Sequence, residues 1–504
     1  MDWRSARDWI PFVAALGSTV AGCGGGGMST YGMTMPTSAM SGMPMSGMSG
    51  YGGGTMPPLM PMEPAMQPTV TFSGPAAAQS INFGQGVSLA WSSSDVTSCM
   101  ATSSSEIGGA FTGSQPTMGS LTVAPTGTGT VTYTLTCTGA DGTATANTPP
   151  VTVNPSILST MSATTIATIG STVDPVEHGG NPYGLVIATA TAGLITKGDL
   201  IACNFNDGAT NTEGLGSTVV GLHPATASMP YRIAQDPALK GCNSLAAFPD
   251  GSVSAAALTA DAVPLIAPDG SVSAPFSLGA AGFGQPLGQA YVAATAQQGA
   301  ALYVSNMAGT INRLSLNGNT QNAATEIVKG FCSSGTPGSI FAPSGLTYDP
   351  ALDTLYVVDT SSYSVIAIAN VSSIAADGIV VNGQCGAAAT PPTPEPTFSG
   401  PSAAQTRVIA HGGGFVAPIS AALLSDGNLV VGNGDINIAG GQTPNLLFEI
   451  SPVLPGGFVG QPVQLDSSGT PGALFGIAAT VDAQGNQIIY FNDDNTNTVM
   501  MLTK

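Results

Sequence analysis

The C-terminal two thirds of the chain carries a degenerate repeat, and this repeat limits the available folds more than any other feature. Its unit is a short apolar strand that ends in Asn or Asp, such as Leu355-Tyr356-Val357-Val358-Asp359. Most copies are followed by another strand, and several are preceded by Gly-Leu or Gly-Ile. Short apolar runs bounded by turn residues are typical of buried β-strands. The repeated strands end at Asn204, Asn306, Asp359, Asn433 and Asn492.

The spacing of these strand ends predicts six repeat units. Successive intervals are 102, 53, 74 and 59 residues. The first interval fits two units and predicts a hidden repeat near Asp250-Gly251-Ser252-Val253, whereas the third contains an insertion around residues 391–396. Units of this length arranged around a ring form a β-propeller. We expect an early strand, residues 165–169, to complete the last blade, because closure removes exposed sheet edges.

The pattern GL…G-x-LYV-x-D…I resembles NHL repeats and the wider group of six-bladed propellers. The resemblance covers about two thirds of the chain. It implies an all-β fold with a C-terminal propeller over residues 160–504. Gluconolactonase-like members of this group hold a divalent metal in the central channel with Glu, Asn and Asp side chains. By this resemblance, the candidate ligands are Glu177, Asn306, Asp359 and Asn433.

The repeated Asn and Asp residues also have a simpler interpretation. Asx side chains often bond to their own backbone at the turn after a strand. Repetition in every unit favours this interpretation, since a catalytic residue need appear once. Asp493-Asp494-Asn495 offers oxygen ligands suited to Ca²⁺, and it equally fits a turn.

Residues 69–154 show a different pattern, in which apolar and small polar residues alternate as expected for a β-sandwich. Trp91, Cys99 and Cys137 lie in a WSS…SC…YTLTC pattern that resembles bacterial Ig-like modules. The resemblance implies a small β-sandwich that acts as a spacer. Its main strands are predicted at residues 70–72, 87–91, 121–123, 131–137 and 151–153.

The N-terminus predicts export. Arg4 and Arg7 precede a short apolar stretch, residues 10–21, which is too short to span a bilayer. The stretch ends in Val20-Ala21-Gly22-Cys23, which resembles a bacterial lipobox. The resemblance implies a signal peptide over residues 1–22 and a lipid on Cys23, which would anchor the chain to a membrane. Gly24 then implies an outer-membrane lipoprotein that faces the periplasm or the surface. An ordinary secretory signal is the alternative.

Six cysteines remain after Cys23, and an even number in an exported chain indicates structural disulfides. Several connectivities are possible, and pairing in chain order is the simplest. No CxxC motif is present, which disfavours zinc or thioredoxin-type chemistry. The expected disulfides are Cys99–Cys137, Cys203–Cys242 and Cys332–Cys385.

Residues 23–68 are rich in Gly, Ser, Pro and Met and nearly free of charge, which predicts a flexible, disordered linker. The tract also contains MxM patterns, and thioethers suit Cu(I). Copper-handling proteins with such clusters usually add His, which this tract lacks. A spacer is therefore the favoured interpretation, with Cu(I) binding as the alternative. The candidate ligands are Met33, Met35, Met43, Met45, Met60 and Met62.

Charge and motif content narrow the function. Nine Lys and Arg against 28 Asp and Glu give a net charge of −19, so no basic surface is available for nucleic acid. The sequence contains no HExxH, GxSxG or Walker A motif, and His178, His223 and His411 lie far apart. We therefore expect a monomeric, cofactor-free binding protein of the cell envelope, with an unidentified protein or glycan as ligand. The alternatives are a metal-dependent lactonase in the propeller and a copper function of the linker.

Overall fold

The computed structural model describes residues 66–162, 165–296, 298–337, 339–383, 394–415, 417–433, 445–466 and 473–504. These residues belong to one compact unit, Pro64–Lys504. The fold is all-β, and the helical segments described are 3-10 turns of three residues. No helix in these ranges has the length and apolar character to cross a membrane. The turns are Glu106–Gly108, Leu158–Thr160, Pro237–Leu239, Gly279–Ala281, Val371–Ser373 and Ala403–Gln405.

Six antiparallel sheets form a ring, since the first strand of each sheet contacts the first strands of the sheets on either side. The sheets are therefore the blades of a six-bladed propeller. The strands of blades 1 to 3 are Gly180–Ile187, Leu200–Asn206, Thr218–Leu222 and Tyr231–Gln235; Cys242–Ala247, Val253–Ala257, Leu265–Ile266 and Val272–Ser273; and Pro286–Val292, Ala300–Asn306, Ile311–Asn317 and Thr320–Lys329. Those of blades 4 to 6 are Pro343–Asp349, Thr354–Asp359, Ser364–Ala369 and Thr406–His411; Pro418–Leu423, Leu429–Asn433, Leu446–Ile450 and Phe458–Gln464; and Ala473–Val481, Gln487–Asp493, Thr498–Leu502 and Ala167–Ser171.

The ring closes within blade 6. Its outermost strand, Ala167–Ser171, comes from the start of the propeller and pairs antiparallel with the last strand, Thr498–Leu502. The predicted closure by an early strand is confirmed. The hidden repeat is also confirmed, because blade 2 contains a hairpin whose turn includes Asp250 and Gly251.

Two insertions interrupt the order of the blades, one between the third and fourth strands of blade 4 and one between blades 3 and 4. The Pro-rich insertion contributes strands Ile379–Asn382 and Thr397–Ser399, which extend blade 3 at its outer edge. A separate hairpin, Ser334–Thr336 with Ser339–Phe341, precedes the first strand of blade 4. We call this element the 334–341 hairpin.

The glycines of the Gly-Leu and Gly-Ile pattern allow neighbouring inner strands to approach closely. A Cβ at Gly345 would lie 2.7 Å from the carbonyl oxygen of Ile419 in the next blade. At Gly476 it would lie 2.4 Å from the carbonyl oxygen of Tyr183, where blade 6 meets blade 1. Glycine inside a strand often marks such an approach of another backbone. The repeated glycine is thus a packing requirement of the ring.

We expect Gly476→Ala to lower the free energy of unfolding by about 1–3 kcal/mol, because the added methyl must push two blades apart. Thermal unfolding of the variant and the wild-type chain measures this. Gly299→Ala is the matched control, since a Cβ there meets no atom within 4 Å. Equal stability of the two variants would show that the blades move apart at little cost.

Side chains of each blade donate hydrogen bonds to the next blade around the ring. Thr189 bonds to Phe248 O, Asn243 to Leu287 O, Gln298 to the Tyr348 hydroxyl, Ser344 to Ile419 O, Ser420 to Leu474 O and Asn492 to Tyr183 O. The donors are mostly short polar residues, which fit between blades without separating them. The abundant Ser, Thr and Asn of this chain therefore serve the ring as well as its turns.

Residues 69–154 form three small sheets around their own core, and we call them the N-terminal module. Trp91, Phe111 and Tyr133 pack edge to face, with ring centroids 5.4 and 5.9 Å apart. The five predicted strands are present, and five Ser/Thr-rich or short strands were missed. The sheets comprise Thr69–Gly74, Val87–Ser94 and Gly119–Val123; Gly113–Gln115, Ser98–Ser103, Tyr133–Gly139 and Gly142–Asn147; and Gln79–Asn82, Val151–Asn154 and Gly129–Val131.

The N-terminal module packs against the turn between the first and second strands of blade 5. Asn82 Nδ2 donates to Asp426 Oδ2 at 3.1 Å, and Gln85 Nε2 donates to the Asp426 carbonyl at 2.7 Å. Beside them, the buried carboxyl of Glu449 accepts from Asn428 Nδ2 and from the backbone N–H of Leu158, both at 2.7 Å. We call this contact region the junction. It joins the N-terminal module, the following segment and blade 5 through polar contacts.

The structure contains two of the expected disulfides. Cys99–Cys137 joins neighbouring strands of one sheet in the N-terminal module. Cys203–Cys242 joins the second strand of blade 1 to the first strand of blade 2. Cys332 is also disulfide-bonded, and its expected partner, Cys385, lies outside the described residues.

Candidate functional site

The inner strands of all six blades surround a central cavity of about 570 Å³. This volume falls within the range of small-molecule sites, roughly 300–1,000 Å³. Each inner strand is the edge strand of its blade, so one side of its backbone is left free of sheet hydrogen bonds. The described residues that line the cavity include no Asp, Glu, Lys, Arg or His. The site is therefore polar through amides and hydroxyls, without charge.

One side chain in this lining has an unused hydrogen-bonding group. Gln289, on the inner strand of blade 3, is 5% exposed. Its Oε1 accepts from the Ser254 hydroxyl, while its Nε2 has no acceptor among the described residues. Buried polar groups are nearly always paired, and leaving one unpaired costs about 1–3 kcal/mol. Gln289 lines the cavity, so a shift of its side chain would bring this unpaired donor to an acceptor on a ligand or water.

The cavity continues into a second one of about 490 Å³ at the end where the inner strands of blades 1 to 4 finish. Tyr291 and Tyr348 line both cavities, and the exposed residues Pro249 and Pro350 form part of the outer rim. Burial raises the pKa of both tyrosines, so they stay neutral phenols at physiological pH. We call this end of the channel the mouth.

The opposite end is filled by apolar side chains. Tyr183 stacks between Phe205 and Phe475, with ring centroids 4.2 and 3.8 Å away. Leu287 belongs to the same buried cluster, and Ile340 of the 334–341 hairpin packs against it. The hairpin also reaches blade 1, because a Cβ at Gly214 would lie 3.0 Å from Pro337. We call this cluster the apolar plug, and it closes the channel at the end where the inner strands begin.

The residues predicted as metal ligands do not form a site together. None of Glu177, Asn306, Asp359 and Asn433 lines the channel cavity. Asp359 accepts from the backbone N–H and hydroxyl of Ser361, which confirms the turn interpretation there. Burial raises the pKa of its carboxyl despite these bonds. Asn433 donates to Gly414 O at 3.2 Å, and the exposed Glu177 lies 3.8 Å from Arg232.

The turn interpretation is incomplete for other repeated Asn residues. Asn204 donates to Thr172 O, and Asn492 donates to Tyr183 O and Gly184 O across the ring closure. These two amides tie blades together and do not cap their own turns. Throughout the described ranges, no three His, Cys, Asp or Glu side chains are grouped closely enough to hold a metal. The described side chains therefore do not fit the divalent metal in the channel that the propeller resemblance implies.

Two clusters of charged residues lie in blade 1 and the loop that precedes it, outside the channel. Arg232 forms a bidentate pair with the fully buried Asp174. Asp199 accepts from Tyr231 at 2.6 Å and lies 2.6 Å from Nδ1 of the exposed His223. Burial, followed by the Asp199 carboxylate, raises the pKa of Tyr231. Neither cluster lines a channel cavity.

Several predictions fall on residues that the structure does not describe. Cys23, Met33, Met35, Met43, Met45, Met60 and Met62 lie outside the described residues, together with the rest of the signal peptide and most of the linker. Lipid attachment and Cu(I) binding stay predictions. Sequence reasoning missed Gln289, Tyr291 and Tyr348, because nothing local distinguishes a channel-facing position from the rest of a buried strand.

No family model matches the sequence, and no curated protein matches it either. Among solved structures, virginiamycin B lyase from Staphylococcus aureus matches with a TM-score of 0.36 and 14% identity, over 64% of this chain and 95% of that one. A gluconolactonase from Xanthomonas campestris matches with a TM-score of 0.37 and 15% identity, over 64% of this chain and 98% of the other. These likenesses carry no argument about activity. The assignment of six blades rests on the sheets and their circular closure.

Proposed function

We propose that this protein is an envelope-anchored recognition protein whose propeller binds a small uncharged ligand in its central channel. The observation that carries the proposal is the lining, which joins residues of all six blades around one cavity and has no charged side chain among the described residues. Burying an ionised ligand without a countercharge is costly, so this lining selects against ions. A neutral ligand with oxygen or nitrogen groups meets amides, hydroxyls and free backbone edges instead.

The remaining parts of the chain supply the setting for this proposal. The lipobox-like sequence at Cys23 would anchor the protein to the outer membrane, and residues 24–68 would hold the folded part away from the bilayer. The N-terminal module, which resembles bacterial Ig-like domains in its cysteine and tryptophan pattern, would act as a spacer. Its polar contacts with blade 5 favour a fixed orientation relative to the propeller.

The experiment is a screen of the full chain against a panel with equal numbers of neutral and charged small molecules. We expect only neutral compounds to raise the melting temperature, because a ligand bound to the folded state alone stabilises it. Ala293→Arg places a large cation in the mouth and should weaken binding at least about tenfold. Ala140→Arg, in an exposed turn of the N-terminal module, is the matched control.

Two results would contradict the proposal. If the hits are mainly charged, the uncharged lining does not select the ligand. If Ala293→Arg binds the hits as well as wild type does, the ligand lies elsewhere. The lactonase alternative would need a different donor set from the one described, and no observation at the site favours it.

A further inference from the structure

Gln289 lines the channel and carries an unpaired amide donor, to which we expect a ligand to offer an acceptor. The side chain is held by Ser254 at Oε1, so Nε2 has a set position in the wall. Among the described residues this donor has no partner. A ligand oxygen placed there regains the hydrogen bond that the fold leaves unmade. Hydroxyl, carbonyl and ether oxygens all satisfy it, whereas an ammonium group does not.

The mouth supplies aromatic surfaces in fixed orientations. Tyr291 packs on Phe248 with ring centroids 4.4 Å apart. The Tyr348 hydroxyl accepts from Gln298 Nε2 at 2.9 Å and donates to Asp353 at 3.1 Å. Both rings are therefore held in place before a ligand arrives, which reduces the entropy cost of binding. Tyrosine combines a flat apolar face with a polar edge. Pyranose rings match such surfaces, because they carry C–H groups on their faces and hydroxyls around their edges.

The apolar plug makes the channel blind. The stacked rings of Tyr183, Phe205 and Phe475 close the channel at the end opposite the mouth. Ile340 of the 334–341 hairpin packs against the same cluster. A chain molecule therefore enters through the mouth and stops inside. Only a chain terminus fits such a space, while an internal segment would need a passage or an open groove.

We propose that the channel binds the terminal residues of a neutral saccharide chain. This inference rests on the proposed function and names its ligand class. The terminal sugar lies inside the channel with an oxygen accepting from Gln289 Nε2, and a following ring lies against Tyr291 and Tyr348. Uronic acids, sialic acids and phosphorylated sugars are disfavoured, because the described lining offers no cation to pair with their charge.

A glycan array probed with the full chain tests the ligand class. We expect linear neutral glycans to bind, and acidic glycans of the same backbone not to bind. Calorimetry then compares a linear neutral oligosaccharide from the array with a cyclic oligosaccharide of the same sugar, which has no terminus. The linear form should bind at least about tenfold more tightly.

Two substitutions at the same position test the role of Gln289. Gln289→Leu removes the donor, and Gln289→Glu replaces it with an acceptor while keeping an oxygen for Ser254. Both should weaken saccharide binding at least about tenfold, with the larger loss in Gln289→Glu. Gln235→Leu, on the exposed face of the outer strand of blade 1, is the control. A purely structural role of Gln289 would lower the melting temperature and leave the saccharide affinity of the folded protein unchanged.

The outcomes separate this inference from the proposed function. If neutral non-saccharides bind and Ala293→Arg blocks them, but no neutral glycan binds, the saccharide assignment is wrong and channel recognition stands. If cyclic and linear forms bind equally, recognition of a terminus is wrong. If neither glycans nor neutral small molecules bind, both proposals fail.

Discussion

Replacing Arg232 with Met should lower the free energy of unfolding by about 3–5 kcal/mol, because it leaves a buried carboxylate without its partner. Asp174 is fully buried in the loop that connects the closing strand to blade 1. Burial opposes ionisation of Asp174, but Arg232 and the backbone N–H groups of Glu177 and Val176 hold its pKa below the usual value. The wild-type pair is therefore charged at neutral pH, and the variant must bury a charge or protonate it.

Urea denaturation at pH 7 measures the effect. Lys329→Met is the matched control, because its ion pair with Asp377 is exposed on both sides and such pairs contribute about 0–1 kcal/mol. The double variant Asp174→Leu with Arg232→Met should recover part of the loss, since it removes the buried carboxylate together with its partner. If the double variant is as unstable as Arg232→Met alone, the packing of the Arg232 side chain matters more than its charge.

The second large effect concerns pH and the junction. Burial, opposed in part by hydrogen bonds from Asn428 and Leu158, raises the pKa of Glu449 to about 7. The folded chain therefore binds a proton that the unfolded chain has released at mildly acidic pH. The contribution of protonated Glu449 to the stability of the folded chain is fully present below the ordinary glutamate pKa, and it is lost as pH rises through about 7. The shift corresponds to roughly 3 kcal/mol.

Glu449→Gln removes the titration and keeps an uncharged side chain of the same shape. We expect the free energy of unfolding of the wild type to fall by roughly 3 kcal/mol more than that of the variant between pH 5 and pH 8. Burial also raises the pKa values of Asp359 and Asp493. Both residues are present in the wild type and the variant, so their contributions to the pH dependence cancel in the comparison. Glu106→Gln, an exposed position in the N-terminal module, should leave the pH profile unchanged. Parallel profiles for wild type and Glu449→Gln would mean that Glu449 is already ionised in the folded protein at pH 5.

The sequence by itself determined the class of fold and the number of blades. Apolar runs ending in Asx, with turns such as Asp250-Gly251, are local signals, because strand propensity and turn geometry depend on neighbouring residues. The Ser- and Thr-rich strands Ser98–Ser103 and Gly142–Asn147 were missed, since small polar residues lack the apolar alternation that marks a strand. Their pairing comes from neighbours in the sheet.

Only the tertiary structure decided what the channel can do. Gln289 and Tyr348 face a common cavity because the ring closes, and that closure joins Ala167 to Met501 across almost the whole propeller. The apolar plug gathers Tyr183, Phe205 and Phe475 from opposite ends of the propeller sequence, and it turns a passage into a blind site. Local sequence describes which residues form strands. Contacts between distant residues decide which side of a strand meets solvent, a neighbouring blade or a ligand. A degenerate repeat does not encode those contacts in the local sequence.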